Sequence, residues 1–285
     1  MNRALRVAAC QYQVGPIAAW DAFEKKLDLV LGEAKRGGAD LALLPEYFTM
    51  ELATMFAAAV RESLPKQLEA LQPWIRKYRL YLTDRAKRFR MGIVGGSIPV
   101  RDEDGRYRNR CFIATADGRE HVQDKRRMTR FEHEQWGISG GNGHALFEVK
   151  GVKCAVAICY DSEFPNDVRE KIDLGAELIL VPSCTDSLAG YHRVRVGSQA
   201  RALENQCYVA VSYTVGDLPQ SPAIDENRGA AAVFAPPDRG FPADGVVAQG
   251  QLDAAQWVFA DLDFDKIDTV RRDGQVLNHR DWSSF

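Results

Sequence analysis

The chain of 285 residues contains no long uninterrupted apolar run. A membrane-spanning helix needs about 20 consecutive apolar residues, so we expect none. The first residues, MNRALRVAACQYQ, pass straight into a strand-like segment without the apolar stretch of a secretory signal peptide. The sequence therefore predicts a protein with neither a transmembrane helix nor a signal peptide.

Charge of one sign is not in excess either. The 37 lysine and arginine side chains nearly balance the 39 aspartate and glutamate side chains, which leaves a formal net charge of −2. Nucleic acids and anionic membranes attract proteins through clustered positive charge. We therefore predict that neither is a partner of this chain.

Paired cysteine motifs are missing as well. Six cysteines are spread along the chain without a CxxC pair, at Cys10, Cys111, Cys154, Cys159, Cys184 and Cys207. Zinc sites and thioredoxin-type motifs use such pairs, so we expect neither. Several of the cysteines lie in apolar runs, which is typical of reduced, buried thiols in a cytoplasmic protein. His133, Glu134 and His144 do not have the spacing of metal ligands, so we predict no metal site.

What the chain does contain is a regular succession of short apolar segments. Their pattern predicts strands at residues 5–12, 40–44, 92–100, 108–116, 120–124, 145–149, 152–158, 177–182, 207–213, 230–235 (with a long loop beyond) and 257–263. It predicts one helix that ends at Gly37. It predicts three more at residues 63–90, with a break near Pro73, at 165–174 and at 189–206. More than eight strands in one domain tend to split into two packed sheets. We therefore predict a single-domain α/β fold with mixed sheets, arranged as a four-layer α-β-β-α sandwich.

Three polar residues follow apolar or strand-like segments directly. Glu46 follows LALLP, Lys125 follows EHVQD, and Cys159 follows VKCAVAI. Strand ends are where ligands bind in layered α/β sheets. A thiol can attack a carbonyl or nitrile carbon while a carboxylate takes its proton and an ammonium stabilises the oxyanion. The three residues together therefore indicate acyl-transfer chemistry.

Each of the three also has an ordinary structural explanation. A glutamate after a strand is usually solvated or caps a helix, and the run DKRRMTR around Lys125 is typical of a wet surface. Cys159 could be one more buried thiol. Its position favours function, however, because a helix begins at Pro165 shortly after it, and nearby helix N-terminal amides lower a thiol pKa.

The segments around these residues resemble the signatures of a known family. LLPEYF, QDKRRMTRFE and AICYDSEFP are similar to the three signature segments of the nitrilase (carbon–nitrogen hydrolase) superfamily and come in its order. LGAELILVPSCT and GSQARALENQCYVAVSYTVG resemble the family's segments after the nucleophile. The likeness covers residues 5–265. It implies one domain over 1–285, with 266–285 as a C-terminal extension.

The resemblance implies the α-β-β-α sandwich and a homodimer that pairs through helices into eight layers. It implies a catalytic triad of Glu46, Lys125 and Cys159, with no cofactor. The family usually has a second glutamate after the lysine. Glu134 fits that position best by its distance to Gly141, and Glu132 is the rival.

Aromatic and hydroxyl side chains flank the predicted triad and are candidates for binding substrate. They are Tyr47, Phe48, Trp136, Tyr160, Phe164 and Thr185. Each has an equally good explanation as an ordinary core residue. His192, Arg193 and Arg195 could meet a substrate carboxylate, although a solvated face or a dimer contact is the more ordinary role for them.

The resemblance favours an amidase that hydrolyses a small carboxamide or N-carbamoyl compound through a cysteine thioester. A nitrilase would use the same triad on a nitrile. An acyltransferase or a glutaminase half would need a membrane part or a second domain, and the sequence shows neither. A non-catalytic binding protein on the same fold is the alternative of a different class, against which the complete triad argues.

Overall fold

The computed structural model describes residues 3–282 of the chain. Over that span the strands are β1 (Ala4–Gln13), β2 (Leu41–Leu44), β3 (Gly92–Arg101), β4 (Tyr107–Ala114), β5 (Glu120–Asp124), β6 (Leu146–Val149), β7 (Val152–Val156), β8 (Leu178–Ser183), β9 (Tyr208–Val215), β10 (Ala232–Phe234), β11 (Val246–Gln249) and β12 (Gln256–Asp263). The α-helices are α1 (Trp20–Arg36), α2 (Ala58–Arg61), α3 (Leu64–Phe89), α4 (Arg130–Glu134), α5 (Pro165–Asp173), α6 (Leu188–Asn205), α7 (Phe264–Asp273) and α8 (Asn278–Asp281). Short 3₁₀ helices cover Phe48–Met55 and Cys159–Glu163.

The strands form two halves that face each other. One half has the order β12-β1-β2-β3-β4-β5, and the other has the order β6-β7-β8-β9-β10-β11. The halves are joined by a short parallel pairing of Gln11–Gln13 in β1 with Tyr213–Val215 in β9. Both parallel and antiparallel neighbours occur, as predicted from the mixture of hairpins and helical crossovers.

Alternation along the strands separates the layers of the core. In β2, Leu41 and Leu43 belong to the hydrophobic cluster shared with β7, β8 and β9 of the other half, whereas Ala42 and Leu44 belong to the cluster under α1 and α3. Side chains of a strand alternate between its two faces, so a fully apolar strand can feed two layers. The predicted α-β-β-α sandwich is confirmed.

Helix α3 differs from its prediction, because it continues through Pro73 without a break. Proline removes the hydrogen bond to the carbonyl four residues earlier, here Glu69. Both Glu69 and Pro73 are exposed, so water can reach that carbonyl, while Leu71 and Tyr78 are buried on the face toward the sheet. Burial on either side of the proline therefore holds one helix together.

Besides the short helices α2, α4 and α8 and the two 3₁₀ helices, β11 and α7 were not predicted. β11 lies in the segment expected to be a loop; it has only four residues and pairs with β10 across an irregular register. Helix α7 begins directly after β12, where the Asp263 side chain caps it by accepting a hydrogen bond from the Asp265 amide. Its residues Ile267 and Val270 are buried, so the segment predicted as a C-terminal extension packs on the core.

The cysteine side chains agree with the prediction of mostly buried thiols. All six cysteines are free thiols, and five are buried. No helix within residues 3–282 is long and apolar enough to cross a membrane.

Gly96 lies in β3 at φ +62°, and a Cβ there would meet the Pro45 carbonyl oxygen at 2.0 Å, directly before Glu46. We predict that Gly96→Ala lowers the free energy of unfolding by about 3 kcal/mol, because both steric overlap and a left-handed backbone oppose alanine. Gly105→Ala is the matched control, since Gly105 has φ +78° but no neighbour within 4 Å. It should cost about 1 kcal/mol. Urea denaturation measures both, and equal effects would contradict the steric account.

Candidate active site

The three residues singled out at strand ends converge on one cavity of about 680 Å³. Glu46 comes two residues after β2, Lys125 directly after β5, and Cys159 three residues after β7. All three are buried, with 1 %, 1 % and 5 % of their surfaces exposed. The cavity brings a carboxylate, an ammonium and a thiol together out of bulk water.

The backbone is left-handed at two residues beside the cavity, Cys159 and Tyr47. Cys159 has φ 47° at the start of its 3₁₀ helix, and Tyr47, next to Glu46, has φ 56°. Non-glycine residues adopt this conformation rarely, and it is held only where surrounding contacts fix it. Here the Ser162 hydroxyl donates to the Cys159 carbonyl at 2.7 Å, and the Thr214 hydroxyl donates to the Glu46 carbonyl at 2.7 Å.

The Lys125 ammonium lies between two carboxylates. Its Nζ donates to Glu46 Oε1 at 2.8 Å and to Glu132 Oε2 at 2.7 Å. Tyr47 donates its hydroxyl to Glu132 Oε1 at 2.7 Å, and Thr129 donates its amide to Glu132 Oε2 at 3.0 Å. The lysine is therefore held from both sides by carboxylates that are themselves fixed.

Glu132, and not Glu134, contacts Lys125 in the structure, although the spacing to Gly141 favours Glu134 as the second glutamate. Glu134 instead makes an exposed ion pair with Arg130 at 2.9 Å. The two glutamates are two residues apart on α4, which turns them about 200° from each other. Thr129 and Glu132 form a capping box at the start of this helix. That motif, readable in the sequence as TRFE, fixes which glutamate faces inward.

Burial and the mutual contacts set the protonation of the cluster. Burial raises the pKa of Glu46 to about 7, and Glu132 adds to the rise while Lys125 opposes it. Burial is also the largest single influence on Glu132, but Lys125, the Thr129 amide and the Tyr47 hydroxyl together outweigh it and leave the Glu132 pKa below its usual value. The carboxylates hold the pKa of Lys125 well above normal despite its burial.

The thiol is protonated in this environment. Burial and the nearby Glu46 carboxylate raise the pKa of Cys159 well above its usual value, and Lys125 opposes the rise. The Cys159 thiol donates weakly to the Cys184 carbonyl, with Sγ and O 3.8 Å apart. A neutral thiol beside a carboxylate that titrates near neutral pH suits proton transfer at the moment of attack.

Two groups at the cluster were missed from the sequence. Asn109 on β4 donates Nδ2 to Glu46 Oε1 at 2.8 Å and to Glu132 Oε1 at 3.1 Å. The Cys184 backbone amide donates to Glu46 Oε2 at 3.0 Å. Asn109 had a readable signal, since it shares the inward face of β4 with Cys111 and Ile113, where a polar residue is out of place. Nothing in the sequence marks the Cys184 amide.

A buried aspartate ties the cysteine turn to the lysine. Asp161 accepts the backbone amide of Arg127 at 2.8 Å and that of Arg126 at 3.1 Å, directly after Lys125. It lies two residues after Cys159 in the same 3₁₀ helix. The contact couples the position of the thiol to that of the ammonium.

Four of the six predicted substrate-binding residues line the cavity: Tyr47, Trp136, Tyr160 and Thr185. Phe48 lies instead in the core, with its ring centroid 4.6 Å from that of Tyr12. Phe164 packs edge-on against Tyr160, 4.8 Å away between ring centroids, behind the cavity wall. Flanking position in the sequence does not distinguish a pocket wall from the residues packed beneath it.

The rim of the cavity carries charges of both signs. Its acidic residues are Glu163, Asp186, Asp225 and Glu226, and its basic residues are Arg130 and Arg193. Arg193 lies 3.7 Å from Glu163 between Nε and Oε1. Among the residues described, no group of three His, Cys, Asp or Glu side chains has a metal-binding arrangement.

The chain is similar to known proteins over most of its length. The family described as "Carbon-nitrogen hydrolase" matches residues 6–272. The probable hydrolase YhcX of Bacillus subtilis is 34 % identical over 278 residues, which are 97 % of this chain but 53 % of that protein, so the chain spans about half the length of this relative. The omega-amidase NIT2-B of Xenopus laevis is 28 % identical over 236 residues, covering 80 % of this chain and 78 % of that protein.

A solved structure is similar throughout. It is a mutant of the amidase from Nesterenkonia sp. AN1 that shows covalent addition of the acetamide moiety of fluoroacetamide at the active-site cysteine. Its TM-score is 0.72 at 20 % identity, with 98 % of this chain and 96 % of that chain covered. At this identity the likeness establishes a common fold.

Proposed function

The chain belongs to the carbon–nitrogen hydrolase family, and we propose that it hydrolyses a small amide or N-carbamoyl compound with Cys159 as nucleophile. The observation that carries the proposal is the buried cluster of Glu46, Lys125 and Glu132 beside the Cys159 thiol in a cavity. The family and its amidase members support cleavage of an amide carbon–nitrogen bond. The roles of the individual residues and the class of substrate are part of what we propose.

In the first step, Glu46 accepts the thiol proton as the Cys159 sulfur attacks the substrate carbonyl carbon. The carbonyl oxygen becomes an oxyanion, held by the Lys125 ammonium and the backbone N–H of Tyr160. Electrostatic stabilisation of this kind is strong where water is excluded. The protonated Lys125 and the neutral thiol are the resting states that this step requires.

In the second step, the tetrahedral intermediate collapses and the carbon–nitrogen bond breaks. Glu46 returns its proton to the nitrogen, which leaves as ammonia or an amine, and Cys159 keeps the acyl group as a thioester. Glu46 then takes a proton from water, whose oxygen attacks the thioester carbon. The acid is released and the thiol regains its proton. One carboxylate therefore serves as base and acid in turn, which a pKa near the working pH favours.

Glu132 supports this chemistry by holding the ammonium. Its Oε2 lies 2.7 Å from Lys125 Nζ, and it is fixed by Tyr47 and Thr129. A lysine bound by two fixed carboxylates keeps its charge and its position as the oxyanion forms. This role needs no contact between Glu132 and the substrate.

A nitrile is the second candidate substrate, because the same thiol can add to its carbon. The names of the relatives favour the amide: omega-amidase is the printed name of several of them. The related Nesterenkonia amidase carries its covalent adduct on the active-site cysteine, which supports a nucleophilic cysteine in this chain by analogy. A binding protein on this fold would have no need of the strained turn at Cys159.

The test of the function is product release from a panel of ω-amides, N-carbamoyl amino acids and nitriles. We predict that Cys159→Ala lowers turnover of the best substrate by at least about 10³-fold, because the attacking sulfur is lost. Cys207→Ala is the control, since Cys207 is a buried thiol at the end of α6, outside the cavity lining. Release by wild type that survives in Cys159→Ala would sink the assignment, provided that both variants unfold at similar urea concentrations.

The choice between the two glutamates has its own matched pair of variants. We predict that Glu132→Gln lowers kcat by about 10²-fold, because one carboxylate holding Lys125 is lost. Glu134→Gln should stay within about twofold of wild type, because its exposed ion pair contributes little. Steady-state kinetics on the best substrate separate the two, and a larger loss in Glu134→Gln would contradict the assignment.

We also propose that the chain forms a homodimer through α6. The resemblance implies helix-mediated pairing, and α6 exposes Leu188, Val196 and Leu203 by 45 %, 60 % and 42 %. A surface groove beside Val196 is lined by Ala189, Gly197 and Ala200. Small residues allow a second helix to approach closely.

Val196→Glu tests this surface, because a buried charge without a partner would separate the subunits. Size-exclusion chromatography with light scattering should then give a dimer for wild type and a monomer for the variant. The control is Leu29→Glu on α1, where the leucine is 68 % exposed. A monomeric wild type, or a dimer that survives Val196→Glu, would contradict the proposal.

A further inference from the structure

Asn109 is a buried amide at the centre of the charged cluster, although it does not line the cavity. It lies on β4 beside the end of β5, and its backbone carbonyl accepts the Lys125 amide at 2.8 Å. Its side-chain Nδ2 donates to Oε1 of Glu46 at 2.8 Å and to Oε1 of Glu132 at 3.1 Å. One side chain therefore contacts both carboxylates that hold the lysine.

The orientation of the Asn109 amide leaves one of its polar atoms without a hydrogen bond. Asn109 Oδ1 is buried and makes no hydrogen bond within the residues described. A buried acceptor without a partner destabilises a fold by about 1–3 kcal/mol. Turning the amide around would place its oxygen against two carboxylates and its nitrogen without a partner. The arrangement follows from the demand of the carboxylates for N–H donors.

The cluster needs a neutral donor at this place. Two carboxylates and one ammonium carry a formal charge of −1, and they are buried together. A second lysine would neutralise the cluster and weaken Glu46 as a base, while an acidic residue would repel both glutamates. An amide gives two N–H groups, one to each carboxylate, and adds no charge.

We propose that Asn109 is a positioning residue that keeps Glu46 and Glu132 aligned around Lys125 and keeps Glu46 ionised at neutral pH. The inference rests on the proposed function for the meaning of that ionisation, since Glu46 must be a carboxylate to accept the Cys159 proton. Asn109 acts through Glu46 and does not touch the substrate.

No other group near Glu46 can replace this donor. The titratable groups that influence Glu46 or Glu132 are Lys125 after β5, Glu132 on α4, Cys159 in its 3₁₀ helix, Cys184 after β8 and Tyr47. Tyr47 already donates to Glu132, and the Cys184 amide already donates to Oε2 of Glu46. Within residues 3–282, the donors left to Glu46 without Asn109 are the Lys125 ammonium at Oε1, the Cys184 amide at Oε2 and the Cys159 thiol.

The sign of the pH effect follows from that loss. Hydrogen bonds to a carboxylate favour its charged form, so removing them moves ionisation of Glu46 to higher pH. Glu46 is the base, so activity rises with pH as it ionises, and the rising limb of kcat against pH reports it. In wild type this limb should lie near pH 7. In an Asn109 variant it should lie higher.

Two variants measure the shift. Asn109→Leu has a similar volume and no donor, and it should move the rising limb up by about one pH unit. Turnover would then fall roughly fivefold at pH 7 and approach the wild-type value at pH 9, with KM nearly unchanged. Asn109→Asp has the same shape but adds a carboxyl group, so it should move the limb further. If Asn109→Leu fails to fold, Asn109→Ala removes the same donor with a smaller side chain.

The matched control is Asn205→Leu. Asn205 is also fully buried, with Nδ2 donating to the Arg201 carbonyl at 3.0 Å and Oδ1 without a partner among the residues described. It lies at the end of α6, outside the cavity lining. Its loss should change stability without moving the rising limb.

A second readout needs no substrate. The rate at which iodoacetamide alkylates Cys159, followed by peptide mass spectrometry, depends on the same proton acceptor and should show the same shift with pH. Suppose that the wild type hydrolyses none of the compounds, while the pH dependence of alkylation still shifts in Asn109→Leu. The proposed function then fails and the role of Asn109 stands. A loss in Asn109→Leu that is equal at all pH values, or a limb that does not move, overturns the inference while the hydrolase assignment stands.

Discussion

The buried ammonium of Lys125, held between the carboxylates of Glu46 and Glu132, is the interaction on which the site depends. A lone charge in such a place would lose its hydration and change its protonation state. Three charges together persist because each has partners at 2.7–2.8 Å. The arrangement is stable only if the strand ends that carry the charges cannot move apart.

The sandwich satisfies that requirement. β2, β4 and β5 lie in one half of the sheet, and β7, which leads to Cys159, lies in the other. The apolar layer shared by both halves fixes their separation, and the contact of Asp161 with the amides after Lys125 joins the two sides directly. The packing of the core thus determines how far the Cys159 thiol lies from the Glu46 carboxylate.

Much of this could be predicted from the sequence because it depends on periodicity and on chain direction. Apolar segments of four to ten residues located most strands, and the ends of those strands located Glu46, Lys125 and Cys159. Local patterns failed where a distant contact decides. Helix α3 crosses Pro73 because the core holds both its ends. The contact of Glu132 rather than Glu134 with Lys125 did have a local signal, the capping box TRFE, which the spacing to Gly141 does not take into account. Asn109 carries a signal only once the inward face of β4 is known.

In the proposed mechanism, Cys159 carries the acyl group of an amide substrate during turnover. Intact-protein mass spectrometry can detect that acyl group on the chain. An amide that the enzyme hydrolyses would be mixed with it, and the reaction would be quenched in acid within one turnover. The intact mass of the chain would be measured, and the modified residue located by peptide mapping. We expect the mass of the chain to increase by that of the acyl group. The adduct should lie on Cys159 and should be removed by hydroxylamine, which cleaves thioesters. Continued hydrolysis by enzyme whose Cys159 has been fully blocked by iodoacetamide would contradict it.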